Sequence, residues 1–133
     1  MNRLFEKQMQ DILKNEYPDF MKALEQPAVK AFYLNPHKKE AIKYLNKEFI
    51  QPHVVVKDGY YFNYEKYPLG KSPFFSCGLY YIQEPSAMLV THFLNIQKDD
   101  YILDMCAAPG GKTCAAASQL SEDGLMIAND IVP

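Results

Sequence analysis

Apolar residues recur through the first half of the chain at spacings that suit two helices, a strand and a further helix. Phe5, Met9, Ile12 and Leu13 line one face of a helix that Tyr17-Pro18 should stop, since the residue before a proline is driven out of helical geometry. Pro18 can open a second helix, with Asp19 in its first turn, Phe20, Met21 and Leu24 facing inward, and Pro27 ending it. Val29–Leu34 alternates as a short strand, and Lys38–Phe49 predicts a helix with Ile42 and Leu45 toward the core. Val54-Val55-Val56 and Tyr60-Tyr61-Phe62 flank Lys57-Asp58-Gly59, a hairpin signal.

From Tyr64 to Ser76 the periodicity fades and prolines, glycine and aromatics predict an ordered connector. Beyond it the pattern sharpens. Leu79–Ile82 suits a strand end, Pro85–Leu94 a helix with proline at its first position, and Tyr101–Met105 a buried strand. A glycine-rich loop through Gly111 leads to a small-residue helix over about Thr113–Leu120, and after Asp123-Gly124 comes a second strand, Leu125–Asn129. The expected fold class is α/β: a small N-terminal α+β subdomain over residues 1–77, then, over 78–133, the first strand–helix–strand unit of an incomplete Rossmann-like domain. A parallel sheet is normally covered on both faces, so two strands and one helix should leave an apolar face and a strand edge open, and self-association is expected.

Composition changes this picture little. The 133 residues, 48% hydrophobic and 23% charged, can bury a core, and a net charge of −2 gives no overall pull toward nucleic acid. No stretch reads as a membrane span or signal peptide, which points to the cytoplasm. The cysteines, Cys77, Cys106 and Cys114, are odd in number without C-x-x-C spacing, so reduced thiols are expected rather than disulfides or a zinc knuckle.

The chemistry concentrates in Asp104-Met105-Cys106-Ala107-Ala108-Pro109-Gly110-Gly111-Lys112-Thr113, between a predicted strand and a predicted helix. Small residues let the backbone approach a ligand, and the N–H groups at a helix start favour a polar or anionic group. Asp130, at the tip of the next strand, stands where doubly wound folds place a carboxylate that accepts from ribose hydroxyls. A phosphate-cradling P-loop would need glycine where Cys106 stands, and the adjacent Gly110 and Gly111 do not make the dinucleotide pattern G-x-G-x-x-G. A nucleoside carrying an amino-acid tail fits better, with Lys112 pairing with the tail's carboxylate.

These residues carry a resemblance. Ile82-Gln83-Glu84-Pro85-Ser86-Ala87-Met88, the loop from Asp104 to Thr113, and Ala128-Asn129-Asp130-Ile131 resemble, in order and spacing, the first three cofactor motifs of the Sun family of RNA (cytosine-5)-methyltransferases. The opening Phe5, Met9, Leu13, Glu16-Tyr17-Pro18, Phe20, Leu24 and Pro27 resembles the helices of its bacterial branch that modifies small-subunit ribosomal RNA. The resemblance implies S-adenosylmethionine as cofactor, held by Cys106, Ala107, Ala108, Pro109, Gly110, Gly111 and Lys112, with Asp130 on its ribose and Gln83–Met88 lining the same pocket. It implies RNA as partner, ribosomal or transfer RNA, with no metal and no membrane. It also implies a reaction in which one cysteine adds to C6 of cytosine, C5 takes the methyl group and another cysteine helps release the product. The family's Pro-Cys and Thr-Cys motifs supplying those cysteines are not found here, the literal pair Thr113-Cys114 falling inside the predicted helix after the loop where its thiol should pack, so a catalytically incomplete front end is expected, without a catalytic residue of its own; the competing reading is a non-catalytic RNA- or cofactor-binding module. The family's Arg-Val-Asn-Thr strand is here Phe32-Tyr33-Leu34-Asn35-Pro36, without the arginine.

Other residues carry two readings. Cys106 as a nucleophile lacks a base placed by the sequence, and Cys77 and Cys114 read as core fillers. His37, His53 and His92 have no ligand spacing. Lys39, Lys43 and Lys47 would share a helix face able to track phosphates, yet Glu40 and Glu48 on the same helix favour an ordinary solvated face. Tyr60, Tyr61, Phe62, Tyr64, Tyr67, Phe74 and Phe75 are candidates for base stacking, with a seam between subdomains as the favoured alternative. Asp104 either orders the loop or touches the ligand.

Overall fold

The structure, a computed structural model, describes residues 2–131. Two helices open the chain, α1 (Arg3–Leu13) and α2 (Tyr17–Glu25). The Asn2 side chain caps α1 by accepting the Leu4 N–H at 2.8 Å, and Lys14, at a φ of 48°, ends it. Pro18 sits in the first turn of α2, where its missing N–H costs no helical bond. The rings of Phe5 and Phe20, 6.3 Å apart, hold the pair together, but neither helix buries a residue. The apolar stripes expected to face a core therefore stay at least partly open, because among the described residues no third layer closes over the two-helix hairpin.

A four-stranded antiparallel sheet follows, in the order β2 (Ile50–Pro52), β3 (Gly59–Phe62), β1 (Ala31–Leu34), β4 (Tyr80–Gln83). β1 lies inside it and is buried throughout, as a strand covered on both faces should be. On one face Phe32 and Leu34 pack with Leu45, Phe62, Leu69 and Tyr80, the Phe32 ring standing 5.3 Å from that of Tyr60 and 5.1 Å from that of Tyr80. On the other, Ala31 and Tyr33 pack with Val56, Met88 and Ala115. Met88 belongs to α4 (Pro85–Phe93) and Ala115 to α5 (Gly111–Ala117), so the later helices cover the earlier sheet. β4 lies past the expected 77/78 junction and is hydrogen-bonded into this sheet.

Two expected elements differ. Lys38–Phe49 is not an α-helix but two 3₁₀ segments, Pro36–Tyr44 and Lys47–Phe49, the first kinked at Lys38. Ties to the turn before β4 win over helical propensity: Asn35 accepts the His37 N–H and donates to Gly78 O at 3.1 Å, and Lys38 Nζ donates to Cys77 O at 2.8 Å. The hairpin exists, but its first strand is Ile50–Pro52 rather than Val54–Val56. His53 Nδ1 accepts the N–H groups of both Val55 (3.1 Å) and Val56 (3.0 Å) and curls that run into the loop, which tucks Val56 inward and leaves Val54 exposed. Between β3 and β4, the short α3 (Pro73–Ser76) sits inside the expected connector.

The last part is a strand–helix–strand unit: β5 (Tyr101–Asp104), α5 and β6 (Leu125–Ala128), with β5 and β6 parallel and in register from Tyr101↔Leu125 to Asp104↔Ala128. Ile102 and Met126 are half-buried, whereas Tyr101, Leu103, Leu125 and Ile127 lie exposed on the opposite face. The open face and the α/β class are as the sequence predicted. No helix among the described residues is long and apolar enough to cross a membrane.

Candidate functional site

The loop from Met105 to Gly110 joins β5 to α5 and is fixed from three directions. Asp104, at the end of β5, accepts the Cys106 N–H through Oδ1 (3.1 Å) and the Thr113 hydroxyl through Oδ2 (2.6 Å), so it ties both ends of the loop together. From the tip of β6, Asp130 Oδ2 accepts the Ala108 N–H (2.8 Å), and Asn129 O accepts the Ala107 N–H (3.0 Å). From the first sheet, the Tyr81 hydroxyl donates to Pro109 O at 2.7 Å. Burial pushes the Tyr81 phenol above its ordinary value, which keeps it a donor. The Ala108–Pro109 peptide is cis.

The two glycines have separate reasons. Gly110 caps α5 at a φ of 101°, a conformation that side-chain-bearing residues rarely adopt. At Gly111 the limit is space: a Cβ there would stand 3.0 Å from Tyr81 Cε1 and 3.3 Å from Gln83 Cδ. The glycine lets α5 press against β4.

A cleft of about 240 Å³ lies between Tyr81–Glu84 and Ala87 on one side and Cys106–Pro109, Gly111 and Lys112 on the other. Six of the eight residues expected to hold a cofactor thus line one cleft; Gly110 shapes the turn behind it, and Asp130 acts on the same loop through Ala108. Glu84, in the cleft lining, caps α4 by accepting the Ala87 N–H at 3.0 Å, and the Ser86 hydroxyl donates to the same oxygen. That hydroxyl, opposed by desolvation and helped by the Ser86 and Ala87 N–H groups, holds the Glu84 carboxyl below the usual carboxylate value. Sequence reasoning missed Tyr81, whose role depends on a strand of the first sheet reaching the loop.

Other expected features come apart. Lys39, Lys43 and Lys47 share no helix face: Lys39 lies 3.7 Å from Asp58, Lys43 lies 3.3 Å from Glu40, and Lys47 starts a separate turn. Cys77 and Cys114 are exposed rather than core fillers, Cys77 because it ends the short α3 and Cys114 because α5 turns Ala115 and Ala116 inward instead. Tyr60, Phe62, Tyr67 and Phe74 pack into the core of the first sheet rather than into a seam. Tyr61 and Tyr64 line a separate groove of about 700 Å³, where Lys30 and Lys66 are matched by Glu48 and Glu65, so charge gives it no preference for phosphate. Among the described residues no group of His, Cys, Asp or Glu is arranged to hold a metal.

Comparison with known proteins places this geometry in a lineage. Residues 1–85 match the family model described as the N-terminal domain of 16S rRNA methyltransferase RsmF, and residues 91–133 match that of 16S rRNA methyltransferase RsmB/F. The chain belongs to the RsmF family. Among relatives of the family, the ribosomal RNA small subunit methyltransferase F of Vibrio parahaemolyticus is 29% identical over 121 residues, covering 84% of this chain and 25% of that protein. The 28S rRNA (cytosine-C(5))-methyltransferase of Mus musculus is 43% identical over 63 residues, 47% of this chain and 8% of that protein. A crystal structure of a methyltransferase homologue from Pyrococcus horikoshii superposes with a TM-score of 0.78 at 29% identity, covering 96% of this chain and 44% of that one. The chain thus spans a quarter or less of these two curated relatives.

Proposed function

We propose that this chain supplies the cofactor loop and the RNA-side sheet of an S-adenosylmethionine-dependent ribosomal RNA (cytosine-5)-methyltransferase. The cleft between β4 and the loop carries the reading, because its chemistry suits an adenosyl amino acid. Lys112 offers a cation to a tail carboxylate, the small Ala107 and Ala108 let the loop backbone approach the ligand, and Asp130, which holds Ala108 of that lining, is the carboxylate we assign to a ribose hydroxyl pair. When bound, S-adenosylmethionine supplies the methyl group; the residues here hold and orient it. In this reading residues 1–77 form the RNA side and residues from 78 onward begin the methyltransferase domain. β4 serves both, since it pairs with β1 while Tyr81 and Gln83 line the cleft.

C5 of cytosine needs a nucleophile at C6 before it accepts a methyl group. Of the three cysteines only Cys106 lines the cleft, where it forms part of the wall that holds the cofactor, and we assign the nucleophile instead to the family's Pro-Cys and Thr-Cys motifs. Tritium-labelled S-adenosylmethionine and unmodified ribosomal RNA test this. The 133-residue polypeptide should give background counts, and a polypeptide joining it to those motifs should transfer label. Incorporation by the 133-residue polypeptide that Cys106→Ala or Cys114→Ala abolishes would overturn the assignment.

A further inference from the structure

Ala31, at the start of β1, pairs with Tyr61 of β3 on one side and with Gln83 of β4 on the other. Directly opposed residues of antiparallel strands share a face, so Tyr61 and Gln83 lie on the side that α4 and α5 cover, about 10 Å apart across two strand spacings. Gln83 lines the cleft beside the loop, and Tyr61 lines the groove of about 700 Å³. Groove and cleft therefore meet the same end of the first sheet.

With its lysines and glutamates matched, what the groove offers a ligand is uncharged. Tyr64 is 54% exposed, its ring tilted 60° to that of Phe62. Two side-chain amides share the lining. Asn63 Oδ1 accepts the Lys66 N–H at 3.0 Å, which leaves Asn63 Nδ2 without a partner among the described residues, and the whole Gln51 amide has none. An open aromatic ring with amide donors and acceptors beside it suits the flat face and polar edge of a nucleobase. Unpaired RNA is recognised in this way, whereas a duplex hides the faces of its bases. An extended peptide would instead pair with an open strand edge, and the edge strand at the groove, β2, has three residues, the last of them Pro52. We propose that the groove is a binding site for an unpaired base of the RNA, which stacks on Tyr64 and is held at its edge by Gln51 and Asn63. Its place beside the cleft lets one RNA strand occupy both, the target base at the cleft and a neighbouring base in the groove. This inference rests on the reading of residues 1–77 as the RNA side.

Fluorescence anisotropy with a labelled, unpaired oligoribonucleotide of mixed sequence tests this on the whole chain. Tyr64→Ala should weaken binding about 5- to 150-fold, the loss of one stacked base, and by nearly the same factor at low and high salt because the contact is not ionic. Gln51→Ala should weaken it about two- to tenfold, and Tyr64→Phe, which keeps the ring, should bind as the unsubstituted protein does. A fully paired duplex of the same sequence should not distinguish Tyr64→Ala from the unsubstituted protein. Calorimetric titration of Tyr64→Ala with S-adenosylmethionine should show unchanged affinity, since Tyr64 lines the groove and not the cleft. Undiminished affinity of both Tyr64→Ala and Gln51→Ala for the unpaired RNA overturns this inference and leaves the RNA reading standing. So does an equal loss for the duplex, or a Tyr64→Phe protein as weak as Tyr64→Ala. If the unsubstituted protein binds neither unpaired nor paired RNA, the RNA reading itself fails and this inference with it.

Discussion

β1 and β5 are four-residue strands, Ala31-Phe32-Tyr33-Leu34 apolar throughout and Tyr101-Ile102-Leu103-Asp104 apolar up to its last residue, and they meet opposite surroundings. β1 lies inside an antiparallel sheet with apolar layers on both faces, and Phe32 is fully buried. Among the described residues β5 has one neighbouring strand and one covered face, and Tyr101 and Leu103 remain 79% and 58% exposed. Composition alone does not set burial; the number of layers that reach a strand does. The contrast also separates two kinds of order. The first sheet is held by packing, whereas the loop after β5 is held by hydrogen bonds from Asp104, Asp130, Asn129 and Tyr81.

Substitutions that act on one kind of order should leave the other nearly untouched. Phe32→Ala opens a cavity between the rings of Tyr60, Phe62 and Tyr80 and should cost about 3–5 kcal/mol in urea unfolding, the largest effect expected here. Asp104→Ala removes the carboxylate that joins both ends of the loop, with an expected loss of about 1.5–3 kcal/mol. Hydrogen exchange should localise that loss, the Cys106 amide speeding up while the β1 amides keep their protection.

Tyr81→Phe cuts the one side-chain hydrogen bond described between the first sheet and the loop, at a cost of about 0.5–1.5 kcal/mol. If the sheet positions the loop, this substitution should also weaken cofactor binding with the fold intact. At the open face of the second sheet, Leu103→Lys should change stability by no more than about 0.5 kcal/mol. It should reduce self-association in sedimentation, because it places a charge in the exposed apolar ladder of Tyr101, Leu103, Leu125 and Ile127. A large loss of stability there would mean that the two strands are not as differently supported as their burial indicates.

The second half was the more legible in the sequence. Pro85 at a helix start, the glycine pair of the loop and the apolar runs on either side act locally, and the elements they predict lie within a few residues of those observed. The role of Asp104 in ordering the loop was likewise within reach, since its partners lie close along the chain. What was not legible depends on distant contacts. Lys38–Phe49 has helical periodicity, but Asn35 and Lys38 are drawn to Gly78 and Cys77, some forty residues on, and the segment tightens into 3₁₀ turns. The valine run has strand propensity, but His53 captures two of its N–H groups. Tyr81 enters the cleft only because β4 pairs with β1 and brings it opposite Gly111, a pairing that no local pattern announces, whereas Gln83 is assigned to the pocket by resemblance alone.

The account stands on the cleft beside the loop being a cofactor site, and calorimetric titration with S-adenosylmethionine addresses that most directly. Lys112→Ala and Asp130→Ala should each weaken binding about ten- to hundredfold, the equivalent of about 1.5–3 kcal/mol for a charged hydrogen-bond partner, while Lys43→Gln, whose partner Glu40 is exposed and belongs to another surface, should bind as the unsubstituted protein does. Affinity unchanged in both Lys112→Ala and Asp130→Ala would contradict the assignment of this cleft.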